Sequence, residues 1–529
     1  MTTTFEDNAL NRTHRAALFA ALRWIALVAG AGAGSAVSAA AATHEGPEAV
    51  TAGAPPVPVV DPAQRFRFGE LTTVAGQLPE LAPVASPAAG APTDIRIAQF
   101  GRPGPSTDFT VPDLPQRLNY QYGYGSESPV RYRVNSDLNE RLRDNSLVAT
   151  PQLNAYVTYR PADWIEALVE VIAEWDYAAL EYKVVTLPDG QTVYANKRYA
   201  SLFIDQAYLR IKDVGGPFEL IAGRRNFEDE RRWLYDLSLD GATARMKLGD
   251  FYADASVVRP DALNLDLFKP VKLTHVNYYM LYLEHRGIED TRLAAYAIRR
   301  QDPDGLEGRP VNLGLRAIGF ATPALSYWAE LAFLRGRDEL SRKYTGNALD
   351  VGATYRFTDA PLSPSVTLGY AYATGNAFPS ASSNHLFRQT GLESNEWRFA
   401  GISRFKVYGE ALDPALSNLG IFTAGLGIRP AGNVSFDLVY HHYRLSETED
   451  GLPASAITAQ TNLQNKDVGS GLDAVLGVRG LFGVRRLGLD LRAGWFFPGS
   501  AFRFVSGADT DVNVRKPDSA MAIVAKFWW

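Results

Sequence analysis

The chain has 529 residues, a formal net charge of −5 and no cysteine. So small a net charge gives no field that would hold nucleic acid. The lack of thiols excludes zinc–thiolate, iron–sulfur and cysteine-nucleophile chemistry. Beyond the N-terminal region, no run of 18 apolar residues is free of charge, so membrane-spanning helices are not expected.

The first 42 residues have the order of a secretory signal peptide. Three arginines precede a stretch of small and apolar residues, and Ala40 and Ala42 fit a cleavage site before Thr43. A single membrane anchor is the alternative, but the Gly/Ala-rich core is only weakly apolar. Residues 43–116 are rich in Pro, Ala and Gly. We predict a disordered linker there, because this composition buries too little apolar surface to offset its ordering entropy.

Residues 117–529 consist of short segments in which apolar and polar side chains alternate. In "LDVGATYRF", Leu349 and Val351 share one face, whereas Asp350 and Arg356 share the other. A period of two places neighbouring side chains on opposite faces of an extended chain, which predicts β-strands with one apolar face. The same pattern recurs in "VTLGYAYAT" and "LDLRAGWFF".

Two architectures account for such strands: a soluble sandwich with its apolar faces inside, or a membrane barrel with them outside. The connections alternate between short ones, such as "RPAD" and "RPAGN", and long polar ones, such as 376–418. Outer-membrane barrels have this asymmetry. The last strand, "MAIVAKFWW", ends on an aromatic residue, as in those barrels. We therefore predict an all-β fold, a transmembrane antiparallel β-barrel of the bacterial outer-membrane type with about 18 strands.

Residues 130–143, "VRYRVNSDLNERLR", are predicted to form one strand of this barrel. Its apolar residues, Leu138 and Leu142 among them, would face lipid, and its arginines would face a wet lumen. Charged residues on the face opposite the apolar side chains are expected to line the lumen: Arg131, Arg133, Arg141, Arg143, Asp350, Arg356 and Asp490.

No motif predicts catalysis or a resident metal. The sequence has no G-x-S-x-G elbow, no phosphate-binding P-loop and no H-E-x-x-H. His441 and His442 are neighbours on a predicted strand and point to opposite faces, so they cannot easily chelate one ion together. We expect neither an enzyme nor a protein that depends on a cofactor or metal.

Charge is densest in "AGRRNFEDERRWLYD", residues 222–236. Opposite charges at this density suit a loop folded into a water-filled lumen, where they could gate the passage. A solvated external loop is an equal alternative. Candidate residues of a substrate path in this stretch are Arg224, Arg225, Arg231, Arg232 and Asp236.

Residues 387–445 contain "QTGLESN", "GEALDPALSNL" and "LVYH", and in these motifs they resemble the alginate export family. Supporting motifs are "GRRNFEDERRWLYD", "KDVGSGLD" and "LRAGWFFPGSAF". The likeness extends from about residue 130 to the end and leaves out the linker. It implies an 18-stranded barrel with a narrow, arginine-rich constriction that exports an anionic polyuronate from the periplasm to the cell surface.

The resemblance carries over to individual residues only in part. Arg404 matches a selectivity arginine of the family, and Asp236 matches an acidic partner in the constriction. Asp266 lies within one position of another acidic partner. Arg225 adjoins the position of a further family arginine and could replace it. Arg492, on the polar face of its strand, completes the predicted path.

Other family arginines are replaced in this chain. The residues at those positions are Gln152, Asp205, Asn226, Glu396 and Asp490. Because Coulombic attraction to carboxylates falls with each lost cation, the replacements favour a polymer less acidic than alginate. The strand parity of Asp205 leaves its facing open.

We predict an outer-membrane channel that exports an anionic exopolysaccharide, alginate or an alginate-like polymer, through a charged constriction. The alternative is a selective uptake porin for small anions or oligosaccharides. A barrel that transports nothing, serving as an enzyme or an adhesion scaffold, is a third class. Expected partners are the polysaccharide, outer-membrane lipid and lipopolysaccharide, and periplasmic synthesis proteins, with a monomeric barrel and no nucleic acid.

Overall fold

The computed structural model describes most of the chain after residue 119. The described ranges are 120–140, 144–180, 183–186, 192–194, 197–263, 266–268, 275–303, 308–376, 382–449, 451–452, 454–503 and 517–529. The predicted signal peptide and linker, as well as Arg141 and Arg143, lie outside these ranges.

Eighteen long strands of the described chain form one antiparallel sheet in sequence order. They are β1 Tyr120–Val134, β2 Gln152–Ala162, β3 Ile165–Leu180, β4 Lys197–Val214, β5 Phe218–Glu228, β6 Asp236–Leu248, β7 Phe251–Arg259, β8 Asn277–Ile288, β9 Thr291–Gln301, β10 Arg309–Thr322, β11 Leu325–Arg337, β12 Asn347–Arg356, β13 Ser365–Ala373, β14 Leu419–Ala431, β15 Val434–Leu445, β16 Asp467–Arg479, β17 Gly488–Pro498 and β18 Ala520–Trp528. Each strand pairs with the next, and β18 also pairs with β1, from Glu127 opposite Trp528 to Val134 opposite Met521. The sheet is therefore a closed barrel without free edges.

Shorter elements lie in the connections. The short strands are Ser146–Ala149, Lys183–Thr186, Thr192–Tyr194, Lys343–Tyr344, Ser383–Asn384, Glu396–Trp397 and Phe405–Lys406, and the two 3₁₀ turns are Leu481–Gly483 and Ser500–Phe502. Within the described ranges, no helix has the length and apolar character needed to cross a membrane.

The barrel has its polar side chains inside and its apolar side chains outside. On β2, Gln152 and Asn154 are buried, while Leu153 and Val157 are about half exposed. A sandwich would bury the leucine and the valine instead, so the alternative of a soluble sandwich is excluded. The predicted barrel and its strand number are confirmed.

The two rims differ in their connections. At one rim, tight turns such as 163–164, 249–250 and 432–433 join the strands, and at the other rim the connections are long. We call these the short-turn rim and the long-loop rim. They are the asymmetry that the sequence predicted.

The predicted strand 130–143 is wrong beyond Val134. The chain turns there, with positive φ angles of 60° at Asn135 and 57° at Leu138. The side chain of Asn135 donates a hydrogen bond to the carbonyl oxygen of Ser519 at 2.9 Å. Leu138, expected to face lipid, is instead buried in the barrel interior, because the turn ends the alternation of the strand.

The tip of the β5–β6 hairpin leaves the barrel wall. Strand β4 pairs with β5 only as far as Arg224, and β6 pairs with β7 only as far as Asp240. Gly223 and Gly241 are register partners with φ angles of 124° and 158°. A side chain on either would overlap the backbone of the adjacent strand, so glycine lets the hairpin bend there. We call residues 225–239, which lie beyond this bend, the inner hairpin.

A second segment enters the lumen from the long-loop rim, between β13 and β14. The backbone N–H of Ile402 donates to Ser435 Oγ at 2.9 Å, and Arg479 donates to the carbonyl oxygen of Ile402 at 2.9 Å. Ser435 is the second residue of β15 and Arg479 is the last of β16, both at the short-turn rim. Residues 382–418, which we call the inner loop, therefore reach across the barrel from one rim to the other. The sequence had predicted only a long polar connection there.

The hydrophobic core lies inside the barrel, where the inner hairpin meets the inner loop. Trp233 of the hairpin is 6.3 Å from Phe387 of the loop, measured between ring centroids. Phe405 and Leu412 of the loop are also almost fully buried. This apolar contact between two inserted segments holds them together in the lumen.

Candidate functional site

The inner hairpin is tied to several barrel strands by buried ion pairs. Arg231 donates to Asp350 of β12 at 2.7 Å. Asp229 accepts from Arg316 of β10 at 2.7 Å. Both pairs are almost inaccessible to water. Because removing one partner would leave the other charge buried, such pairs hold a segment in place strongly.

The inner loop is tied to the opposite side of the barrel by a second set of charges. Glu396 accepts from Arg232 of the inner hairpin and from Arg492 of β17, each at 3.2 Å. Arg492 also lies 3.1 Å from Glu410. Glu396 thus joins the inner hairpin to the wall through the loop.

Asp413 forms the third anchor of the inner loop. It accepts from Arg133 of β1 at 3.0 Å and from Lys406 of the loop itself at 3.1 Å. Arg131, two residues before Arg133, is also on the inner face of β1. The arginines of β1 thus face the lumen, as the alternation of that strand required.

Arg404 lies at the meeting point of the loop and the hairpin. It pairs closely with Glu228, which also accepts from Arg232 at 3.0 Å. The side chain of Arg404 is about one-sixth exposed, more than Arg232 or Arg492. It is therefore the more accessible cation of this cluster.

Aromatic side chains support the charged cluster. Trp233 donates its indole N–H to the hydroxyl of Tyr408 at 2.8 Å, and that hydroxyl donates to Asp350 at 2.6 Å. The Arg231 guanidinium lies 5.0 Å from the ring of Trp328, a distance that permits a cation–π contact. These contacts fix both the hairpin and the loop relative to β11 and β12.

Glu396 and Asp413 of the inner loop remain charged in this setting. Burial would raise the pKa of Glu396, but the positive charges of Arg492, Lys406 and Arg232 outweigh it and hold that pKa well below its usual range. For Asp413, burial acts in the same direction and is again outweighed, chiefly by Lys406 and Arg133, so its pKa is also lowered. Both groups are therefore anions at neutral pH.

Two small cavities border the inner hairpin. One, of about 10 Å³, lies against Phe227, Tyr235 and Met280, and another of similar size lies against Arg231 and Tyr408. A volume of about 10 Å³ is enough for roughly one water molecule and far less than a sugar ring. Passage of any polymer at these points requires the inserted segments to move.

Other predicted site residues have different settings. Arg224 donates to the carbonyl oxygens of Asp205 and Pro260, and Arg225 donates to Thr243 Oγ1 at 2.9 Å. Both anchor the base of the inner hairpin rather than its tip. Asp266 is half-buried and forms an isolated β-bridge with Phe203 of β4.

Three more predicted residues are placed at the short-turn rim or at the hairpin. Asp490 accepts from Arg479 at 2.6 Å and from Ser403, so it anchors the far end of the inner loop. Arg356 ends β12 at the same rim and is half-buried. Asp236 lies 3.2 Å from Arg232 and accepts from Ser394 at 2.6 Å.

Asp205 faces inward because of a β-bulge. Glu170 pairs with Gln206 and Val171 with Ile204, so Asp205 has no partner in β3 and the parity of β4 changes there. The sequence could not resolve this, because a single extra residue reverses every later side chain. Asp205 accepts a hydrogen bond from Ser238 at 3.0 Å.

Several important residues were not among the predicted site. Arg316 and Glu330 form a buried pair at 2.5 Å. Each is next to an outward-facing leucine in its strand, Leu315 or Leu331, so the alternation could have identified both as lumen residues. Glu410 and Asp413 lie in the "GEALD" of the inner loop, where no periodicity indicates facing. His441 faces inward and His442 faces outward, so they do not share a site.

The model of the Alginate export family matches residues 113–514. The chain belongs to the alginate export family. Its barrel is thus an outer-membrane barrel, and the predicted resemblance and location are confirmed.

Curated relatives share part of the chain. It is 31% identical over 189 residues to the alginate production protein AlgE of Pseudomonas aeruginosa, a stretch that covers 32% of this chain and 38% of that protein. The match to AlgE of Azotobacter vinelandii is 28% over 174 residues and covers 29% and 35% of the two chains. The matched stretch therefore spans little more than a third of either relative.

Solved structures also superpose on this chain over most of their length. OccK7 (OpdD) of Pseudomonas aeruginosa superposes with a TM-score of 0.49 and 11% identity, covering 78% of this chain and 99% of that one. OccAB3 of Acinetobacter baumannii has a TM-score of 0.47 and 11% identity, with coverage of 77% and 99%.

Proposed function

We propose that this barrel exports an anionic exopolysaccharide across the outer membrane, from the periplasm to the cell surface. Membership of the alginate export family supports this class of polymer. The observation that carries the proposal is the set of arginine–carboxylate pairs that cross the lumen, of which Glu396 between Arg232 and Arg492 is the centre. Passage is passive, through a single barrel.

The mechanism is an exchange of carboxylates. In the closed state Glu396, Glu410 and Asp413 occupy the lumen cations Arg232, Arg492 and Arg133. A uronate carboxylate has the same geometry as a side-chain carboxylate and can accept from the same guanidinium. Polymer entering from the periplasm would replace the loop carboxylates one by one, so the inner loop would leave without stranding a buried charge.

Acidic side chains in the lumen repel the carboxylates of the polymer and so favour a less acidic one. Glu396, Asp205 and Asp490 stand where the family resemblance places arginines. A like charge at 4 Å costs about 4 kcal/mol at an effective dielectric constant of 20, before screening by the adjacent arginines. A polymer with fewer carboxylates than alginate would pass more easily. Periplasmic synthesis proteins that deliver the chain to the short-turn rim belong to this proposal.

Planar-bilayer recording of the reconstituted protein tests the proposal. Uronic acid oligomers should block the current transiently, and block should be weaker with neutral oligomers of equal length, because only the former can replace Glu396 and Asp413. Clear small-solute conductance with no block by any uronic oligomer would instead favour a porin for uptake.

A further inference from the structure

The lipid-facing side of the barrel carries a basic cluster at its long-loop rim. Five cations at the ends of neighbouring strands point outward, because the side chains next to them in sequence point into the barrel. They are Arg299 of β9, Arg309 of β10, Arg335 and Arg337 of β11, and Lys343 of the short strand that follows β11. Arg335 is half-buried and the other four are exposed. We call these five residues the outer basic patch.

Strand register brings the outer basic patch together. Arg309 is directly opposite Arg337, and Arg337 is opposite Lys343. Val311 lies between Arg299 on one side and Arg335 on the other. Like charges directly opposite each other on antiparallel strands destabilise the pair. No contact within the described part of the protein offsets the repulsion among these three cations.

Carboxylates do not offset this charge in the described part of the chain. None of the five cations forms an ion pair there. Asp338, the nearest acid in sequence, is buried and bonded to Arg342 and Asn384. Arg335 and Arg337 donate only to backbone oxygens and to the Asn347 amide, at 2.7–3.1 Å.

The outer basic patch lies directly above the apolar band of the barrel's outer surface. One row below the patch the outward residues are apolar, with Leu313 opposite Phe333, and the Arg335 guanidinium lies 5.3 Å from the Phe333 ring. The cations thus stand at the upper edge of the lipid-facing band, outside the barrel and away from its lumen. In the outer leaflet of an outer membrane, phosphorylated glycolipid occupies that level.

We propose that the outer basic patch binds the phosphate groups of lipopolysaccharide in the outer leaflet. The planar guanidinium fork of arginine matches phosphate bidentately, and two facing arginines can hold one doubly charged phosphate. The like-charge pair Arg309–Arg337 is then satisfied by lipid rather than by protein. This inference rests on the location of the barrel and not on the exported polymer.

The test measures lipid A binding by the purified full chain in detergent, by titration under native mass spectrometry. Each basic residue near an anionic surface contributes a factor of about five in affinity. The double variant Arg309→Gln/Arg337→Gln should therefore bind lipid A about 25-fold more weakly. Arg444→Gln is the matched control, because Arg444 is exposed at the long-loop end of β15, four strands from β11, and should leave the affinity within about twofold.

A second readout separates lipid binding from a structural role. Without lipid, the double variant should unfold at the same or a higher temperature than the wild type, because it removes a repulsion. A lower unfolding temperature with unchanged lipid affinity would overturn the proposal. If the double variant does not fold, Arg299→Gln alone should still weaken lipid A binding about fivefold.

Two ligand arms identify the source of the anion. Dephosphorylated lipid A should bind far more weakly than the bisphosphorylated form, and equal binding would contradict the proposal. A soluble uronic oligomer should not displace lipid A. If the oligomer displaces lipid A at a concentration below that of lipid A, the patch binds polymer and the proposal is wrong. That result would not bear on export through the lumen.

Discussion

Replacing Glu396 by glutamine tests whether the inner loop is held in the lumen by charge. Glu396 is buried and touches Arg232 and Arg492, each at 3.2 Å. Glutamine keeps the shape of the side chain and removes its negative charge. The substitution therefore weakens the link between inner hairpin, inner loop and β17 without opening a cavity.

The cost can be estimated from the remaining partners. Loss of one partner from a buried ion pair typically costs about 3–5 kcal/mol. Here Arg232 keeps Glu228 and Asp236, at 3.0 and 3.2 Å, and Arg492 keeps Glu410 at 3.1 Å. The expected loss is thus nearer that of one charged hydrogen bond, about 1.5–3 kcal/mol. That raises the ratio of open to closed loop about 10- to 150-fold.

Single-channel recording in planar bilayers measures this ratio as open probability. Glu447→Gln is the control, because Glu447 forms an ion pair at 2.8 Å with Lys466 but both side chains are about one-third exposed. Exposed pairs of this kind contribute about 0–1 kcal/mol, so the control should behave almost as the wild type. Equal open probabilities for Glu396→Gln and Glu447→Gln would refute the idea that charge closes the lumen.

Three further outcomes are expected. Arg404→Glu places a second negative charge beside Glu228, so the reversal potential in a salt gradient should shift toward lower anion selectivity; an unchanged potential would remove Arg404 from the path. Tyr408→Phe removes the acceptor of the Trp233 indole N–H and one hydrogen bond to Asp350. It should lower the free energy of unfolding in detergent by about 1.5–3 kcal/mol, measured by denaturant titration against the wild type. The lowered pKa values of Glu396 and Asp413 mean that their contribution to closure is present above the ordinary carboxyl pKa and is lost only as the pH falls below it. The difference in open probability between wild type and the Glu396→Gln/Asp413→Asn variant should stay constant from about pH 7 to pH 5 and begin to shrink only below about pH 4; a difference that vanishes near pH 6 would contradict this.

The barrel could be predicted from sequence because its signal repeats along the whole chain. A period of two with one apolar face appears in nearly every strand, and short and long connections alternate with it. The same pattern predicted which side chains face lipid and which face the lumen, as in β12, where Leu349 points outward and Asp350 inward. The pattern failed where the backbone changes direction, at Asn135 and at the bulge beside Asp205.

The contents of the lumen could not be predicted in the same way. Alternation gives the side of a wall on which a residue lies, but it does not tell whether a loop folds inward. The inner loop has no periodicity, and its anchors Glu410 and Asp413 pair with residues tens to hundreds of positions away. The density of opposite charges in residues 222–236 indicated a lumen loop as one of two alternatives. Gly223 and Gly241 make the inward bend possible, yet in sequence they resemble ordinary strand glycines.

Export itself is tested most directly in cells that make the polymer. We predict that a strain lacking this chain retains exopolysaccharide in the periplasm and releases little into the medium, and that the wild-type chain restores release. Polymer should be measured as uronic acid in the periplasmic and extracellular fractions. Normal release of polymer by the strain that lacks the chain would contradict the account.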